Sequence, residues 1–169
     1  QIVKENGSVF HVDAVQAAGK VTLNMQDSCI DLLSISGHKL HAPKGVGALF
    51  VRKGTKIRPL IVGGHQERGR RAGTENVASV AGFGMACELA INGIAHENTV
   101  VRSMRDHLEN QLLQAIPDSK LNGVVDNRLP NTTNISFNYI EGEGILLLLD
   151  RVGVAASSGS ACTSGSLEP

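Results

Sequence analysis

The chain predicts an α/β fold, and three observations carry that prediction. Short, unbroken apolar runs alternate with glycine-bearing turns over the first half, which suits strands covered on both faces of a sheet. Two long stretches with apolar residues near helical spacing follow. A half-alternating strand run and one more helical stretch come after them.

The first apolar run, Val9 to Val12, ends in Asp13, and the small residues behind it predict a helical turn. The second, Ile30 to Ile35, is stopped by Ser36-Gly37, and the third spans Val46 to Arg52. Gly63 to Thr74, GGHQERGRRAGT, predicts a glycine-rich basic loop. Glu75 to about Ile94 predicts a helix on Val77, Val80, Ala81, Met85 and Leu89, with Gly93 as its stop. A second helix, about Glu97 to Ile116, rests on Val101, Met104, Leu108, Leu112 and Ile116, with Pro117 behind it. TTNISFNY alternates as a half-buried strand, and GEGILLLLDRVG reads as a helix closed by Gly153. The change of character near residue 95 sets a boundary between domains 1–94 and 95–169.

Bulk properties narrow the function classes. The 169 residues suffice for one core and part of another. Lys+Arg and Asp+Glu balance at 16 each, so net charge implies no nucleic-acid partner. Trp is absent and aromatics make up 3%, so Val, Ile, Leu and Ala must build the core. The three cysteines, Cys29, Cys87 and Cys162, stand far apart with no C-x-x-C pair. That spacing argues against a structural zinc site or a disulfide framework and fits a reduced, cytoplasmic setting. The longest apolar run, Ile145 to Leu149, is far short of the roughly 20 residues a membrane helix needs, so no membrane partner is expected. The chain starts at Gln1 and stops at Leu167-Glu168-Pro169 directly after a loop, which leads to the expectation of a fragment.

Four stretches could carry chemistry. Asp13 follows a strand run, where α/β proteins bind ligands; its plain structural role would be a helix N-cap. Ser36-Gly37-His38-Lys39 also follows a strand and offers a hydroxyl, a close backbone approach, an imidazole and an amine; alone it is a polar turn. Pyridoxal-phosphate chemistry needs both a lysine, to hold the cofactor through a C=N bond, and a carboxylate, to keep the pyridine nitrogen protonated. Asp13 and Lys39 end successive strand runs, which are usually neighbours, so both belong at one sheet edge. Arg70 to Thr74 places guanidinium groups, a glycine and a hydroxyl just before a helix, a plausible anion site whose plain alternative is a solvated basic loop. Ser157 to Ser166, SSGSACTSGS, has the composition of a flexible linker yet carries the thiol of Cys162.

HVDAVQAAGK, SISGHKLHAPKGVGALFVR, GGHQERGRRAGTENV and SSGSACTSGSLEP together resemble the NifS/IscS-type cysteine desulfurases, and most closely the nitrogen-fixation branch. The resemblance runs in order over nearly the whole chain. It implies fold type I of the pyridoxal-phosphate enzymes, in the class-V aminotransferase-like group. Residues 1–94 would then be the C-terminal part of the large cofactor-binding domain. Residues 95–169 would be part of the small domain, with a mobile cysteine loop over 156–167. The resemblance assigns Lys39 to the covalent hold on the cofactor and to acid–base catalysis, Asp13 to the pyridine nitrogen, and Gln16 to the phenolic oxygen. Ser36, Gly37 and His38 would meet the cofactor, with Ser36 and His38 on its phosphate, and Thr74 would reach the phosphate in the other subunit of a homodimer. Cys162 would take sulfur from L-cysteine, leaving L-alanine and an enzyme persulfide, and pass it to an iron–sulfur scaffold protein; through that persulfide it would be a transient metal ligand. Nothing beside Cys162 in the sequence activates its thiol, whose ordinary pKa is about 8.5. A related selenocysteine lyase or aminotransferase, or an inactive partner-binding relative, are the alternatives. The thiol argues against the aminotransferase, and the intact Asp13, Lys39 and Cys162 argue against degeneracy. The expected ring-stacking histidine and substrate-carboxylate arginine have no counterpart in these residues.

Overall fold

The computed structural model describes residues 2–157. Its elements run α1 (Ile2–Glu5), β1 (His11–Asp13), β2 (Leu32–Ser36), a 3₁₀ turn (Gly37–Leu40), β3 (Gly47–Val51), α2 (Gln66–Gly69) and α3 (Val77–His96). A π-helical segment (Glu97–Val101) leads into α4 (Arg102–Ala115), and β4 (Ser119–Leu121), β5 (Ile135–Phe137) and α5 (Gly142–Arg151) follow. The chain divides into two compact units after Met104, inside this helical stretch, and Asn127–Thr132 belong to the first unit.

In the first unit, three strands form a sheet in the order β1-β2-β3. β1 runs parallel to β2, with Asp13 opposite Ser34, and β2 runs antiparallel to β3, with Ser36 opposite Gly47. The core gathers Ala18, Leu40, Phe83 and Ala86, with Ile35, Ala42, Val46, Cys87 and Ala90 packed against it. Helix α3 begins at an Asn76 cap, whose side chain accepts the Ser79 N–H at 3.2 Å.

The buried stripe of α3 differs from the expected one. Phe83, Ala86, Cys87 and Ala90 face the core, whereas Val77, Val80, Met85 and Leu89 are exposed. The helix is apolar almost all round, so periodicity alone cannot choose its inner face. Close approach chooses it instead. A Cβ at Gly82 would stand 3.2 Å from Pro43, and one at Gly19 would stand 2.9 Å from Leu40 and 3.1 Å from Ala90. The same apolarity makes the stretch Val77–Ala115 long and apolar enough to cross a membrane by length and composition. Counting unbroken runs missed this because glycines and polar residues interrupt them.

Two side chains tie the sheet to its loops. Arg52 donates to the carbonyls of Ile30, Met25 and Ser28 at 2.7, 2.7 and 2.8 Å and lies over the Phe50 ring. Buried Asp31 accepts from Lys4 at 2.7 and 3.0 Å and from the Phe10 N–H at 2.8 Å. The Lys4 hydrogen bond, then the Phe10 amide, holds the Asp31 carboxyl below the usual carboxylate range.

In the second unit, β4 and β5 pair antiparallel, with Ile135 and Phe137 half-buried and Ser136 exposed, as the alternation in TTNISFNY predicts. Buried Glu109 on α4 accepts a hydrogen bond from Thr133. Asn122 spans the ribbon to Asn134 and Ser136 at 2.8 and 2.7 Å. Strand β4 was not expected from the sequence, because Ser-Lys-Leu carries too little β-type pattern.

Candidate active site

Parallel pairing brings two of the chemical stretches to one edge. The Ala14 N–H donates to the Ser34 carbonyl at 2.9 Å, so β1 ends with Asp13 opposite Ser34, two residues before β2 ends at Ser36. Ser36 to Lys39 leave it at the same end, since parallel strands expose their carboxyl ends together. The expectation that Asp13 and Lys39 share a sheet edge follows from this register.

Asp13 is exposed, and one of its oxygens accepts the Val15 N–H at 2.9 Å, opening the turn that carries Gln16. The Asp13 structural role and its availability to a ligand therefore coexist, because that bond occupies a single oxygen. Gln16 is exposed between buried Ala14 and Ala18, which anchor the turn.

The 3₁₀ turn explains the pattern of Gly37-His38-Lys39-Leu40. Leu40 plugs into the core, which leaves His38 and Lys39 facing outward. His38 Nδ1 and Ser36 Oγ share a 2.7 Å hydrogen bond. Among the described residues the Lys39 amine has no hydrogen bond or ion pair. Gly37 is buried, and its backbone is approached by the chain itself. Its N–H donates to the Val46 carbonyl at 2.9 Å, and a Cβ there would stand 2.9 Å from both Val46 Cγ1 and that carbonyl. The glycine at this position is thus required by packing against Val46.

Thr74 stands elsewhere. With Arg70, Arg71 and Gly73 it lines an open groove of about 730 Å³ between β3 and the start of α3, and none of Asp13, Ser36 and Lys39 lines it. Within the short α2 before it, Glu67, Arg68 and Gly69 are left-handed at φ 50°, 58° and 75°, so this segment turns instead of continuing as a helix. Gln66 braces that turn by accepting the Gly73 N–H at 3.2 Å.

Cys162 and nearly all of the expected cysteine loop lie outside the described residues. Of the other two thiols, Cys29 is exposed, while burial against the core pushes the Cys87 thiol up. Sequence reasoning missed His11, which alternation places on the same face of β1 as Asp13 and whose Nε2 shares a 3.2 Å hydrogen bond with Ser34 Oγ. Strand alternation was the signal that could have found it.

The donor set fits pyridoxal phosphate. A free amine suits its aldehyde, a carboxylate with an open oxygen suits its ring nitrogen, and a hydroxyl–imidazole pair suits its phosphate.

Comparison with known proteins agrees. The chain is 62% identical over 168 residues to the cysteine desulfurase of Gluconacetobacter diazotrophicus, covering 99% of this chain and 42% of that protein. It is 61% identical over 169 residues to the cysteine desulfurase NifS of Azotobacter vinelandii, covering 100% of this chain and 42% of that protein. It therefore spans about 42% of the length of these curated relatives. Among solved structures it superposes on a NifS-like protein with a TM-score of 0.84 at 37% identity, covering 94% of this chain and 43% of that one. A NifS-like protein from Rickettsia africae gives a TM-score of 0.83 at 35% identity, covering 94% and 44%. Class-V aminotransferases use pyridoxal phosphate. Residues 1–168 match the class-V aminotransferase family throughout, and the chain belongs to it.

Proposed function

We propose that this chain is part of a cysteine desulfurase, which takes sulfur from L-cysteine and leaves L-alanine. The parallel register that brings Asp13 and the Ser36–Lys39 turn to one sheet edge carries the reading. When bound, pyridoxal phosphate supplies an electron sink for the bonds at the substrate's α-carbon. The Lys39 amine holds the cofactor covalently and, once released by the substrate, moves protons between carbons. The Asp13 carboxylate keeps a proton on the ring nitrogen through its open oxygen. Ser36 and His38, already joined, bind the phosphate, and Gln16 donates to the phenolic oxygen. Thr74, on its separate groove, reaches the phosphate of a second subunit in a homodimer.

Cys162 is the sulfur acceptor. Its sulfur attacks the substrate's, an S–S bond forms, the substrate C–S bond breaks, and the carbon takes a proton. The balance needs no external oxidant. The persulfide then serves an iron–sulfur scaffold protein in the cytoplasm, with Cys162 a transient metal ligand during transfer, in nitrogen fixation by likeness to NifS.

Alanine and sulfide measured from L-cysteine test the reading in the full-length protein. Lys39→Ala should abolish the bound cofactor's visible band; an unchanged band overturns the Lys39 role. Cys162→Ser should keep that band and lose sulfide release, and surviving release means another acceptor. Asp13→Ala should lose most of its rate while retaining some cofactor, and near-normal turnover refutes its pairing with the ring nitrogen.

A further inference from the structure

One side chain ties the long helix to the turn behind β1. The Asn98 amide donates to the Lys20 carbonyl at 2.7 Å and to the Ile94 carbonyl at 2.9 Å, while its oxygen accepts from Arg102 at 3.2 Å. Asn98 lies in the π-helical segment, where the i→i+5 pattern replaces the ordinary ladder and side chains can take its carbonyls. Among the described residues this is the one side-chain hydrogen bond between Val77–Ala115 and Asp13–Val21.

The turn it holds is a stiff piece. The Ala14 carbonyl accepts the Ala17 and Ala18 N–H groups at 3.0 and 2.9 Å, and the Ala17 carbonyl accepts those of Lys20 and Val21 at 3.0 and 3.1 Å. Its near end is fixed to β2 by the Ala14–Ser34 bond. Its far end is fixed by Ala18 in the core, by Gly19, where Leu40 and Ala90 leave no room for a Cβ, and by Asn98 on Lys20. Gln16 projects from between the two fixed ends, while Asp13 lies on the strand side of Ala14. Asn98 on the Lys20 carbonyl tethers the far side of the turn whose buried Ala14 and Ala18 flank Gln16, so loosening it reaches Gln16 before Asp13, which is held in β1.

We infer that Asn98 is a positioning residue, which sets Gln16 against the cofactor through its hydrogen bond to the Lys20 carbonyl. The inference rests on the reading of Gln16 as the partner of the phenolic oxygen. A hydrogen bond to that oxygen tunes the bound cofactor's visible band, a readout that a merely stabilising role for Asn98 would not move.

The test is a double-mutant cycle in the full-length protein, reading the apparent Kd for pyridoxal phosphate and the position of the visible band. Gln16→Ala and Asn98→Ala should each weaken binding about 5- to 10-fold, the range of one hydrogen bond, and shift the band in the same direction. The double variant should be no weaker than Gln16→Ala alone. Additive losses, or an unshifted band in Asn98→Ala, overturn the inference while Gln16 keeps its role. If Gln16→Ala changes neither quantity, the Gln16 reading falls and takes the inference with it. Asn98→Asp keeps the size and the acceptor but loses both donors. It should reproduce the shift, and it carries the test if Asn98→Ala fails to fold.

Discussion

At the residue scale, the charged and nucleophilic groups divide by what surrounds them. Asp31 is held ionised by Lys4 and by the Phe10 amide, so its folded pKa lies below its unfolded value. A carboxylate with a lowered pKa stabilises the fold fully above the unfolded pKa, about 4, and that contribution is lost as pH falls through the lower folded value. Lys4→Met should therefore lower the thermal midpoint at neutral pH, and the gap to the parent should close as pH drops below about 4. Melts showing a gap that is constant with pH would refute the coupling. The two described thiols part in the same way. Cys29 is exposed, whereas Cys87 packs on the core and burial disfavours its thiolate. A thiol reagent near neutral pH should label Cys29 faster than Cys87, because Cys29 is exposed and burial disfavours the Cys87 thiolate. Mass mapping of the labelled peptides decides it, and equal rates would mean that the α3 face opens readily.

At the element scale, the strands and helices were legible because their signals are local. The runs Val9 to Val12, Ile30 to Ile35 and Val46 to Arg52 overlap β1, β2 and β3, of which the first two extend one residue further, to Asp13 and Ser36, and the Glu75 and Glu97 stretches became α3 and, through a π segment, α4. What stayed illegible depended on partners distant in sequence. The inner face of α3 is set by Gly19, Pro43 and Leu40, none of which lies on the helix. The π segment carries Asn98, whose amide reaches the Lys20 carbonyl 78 residues away in sequence. The site shows the same division. The sequence placed Asp13 and Lys39 at one edge from strand order alone, but the reason for Gly37 is Val46, and His11 went unnoticed. The consequence for α3 is measurable. Phe83→Ala removes a buried ring from the core and should cost about 3–5 kcal/mol, more than Leu89→Ala on the face that is exposed among the described residues. Denaturant unfolding of both variants checks this, and comparable losses would mean that both faces of α3 are covered in solution.

At the scale of the whole molecule, burial is thin for a chain of this length. Among the described residues few side chains form the core, while Leu60 and Val62 are 95% and 80% exposed. Leu49 lies half-open on β3, the end strand of its sheet, and Met85, Leu89 and Ile91 line the outer side of α3. Large apolar side chains left exposed in this number go beyond the scattered few of an ordinary surface and point to faces that further chain covers. The relatives are more than twice as long, and 42% coverage leaves ample chain in them to cover such faces. A polypeptide of these 169 residues alone should bind a hydrophobic dye strongly and self-associate as its concentration rises. Full-length protein carrying the same residues should bind little dye and keep a fixed oligomeric state. Dye titration and light scattering on the two, side by side, make the comparison. Equal and weak dye binding would mean that these faces close on themselves in the short chain, and the sparse core would then have to be completed from within its own residues.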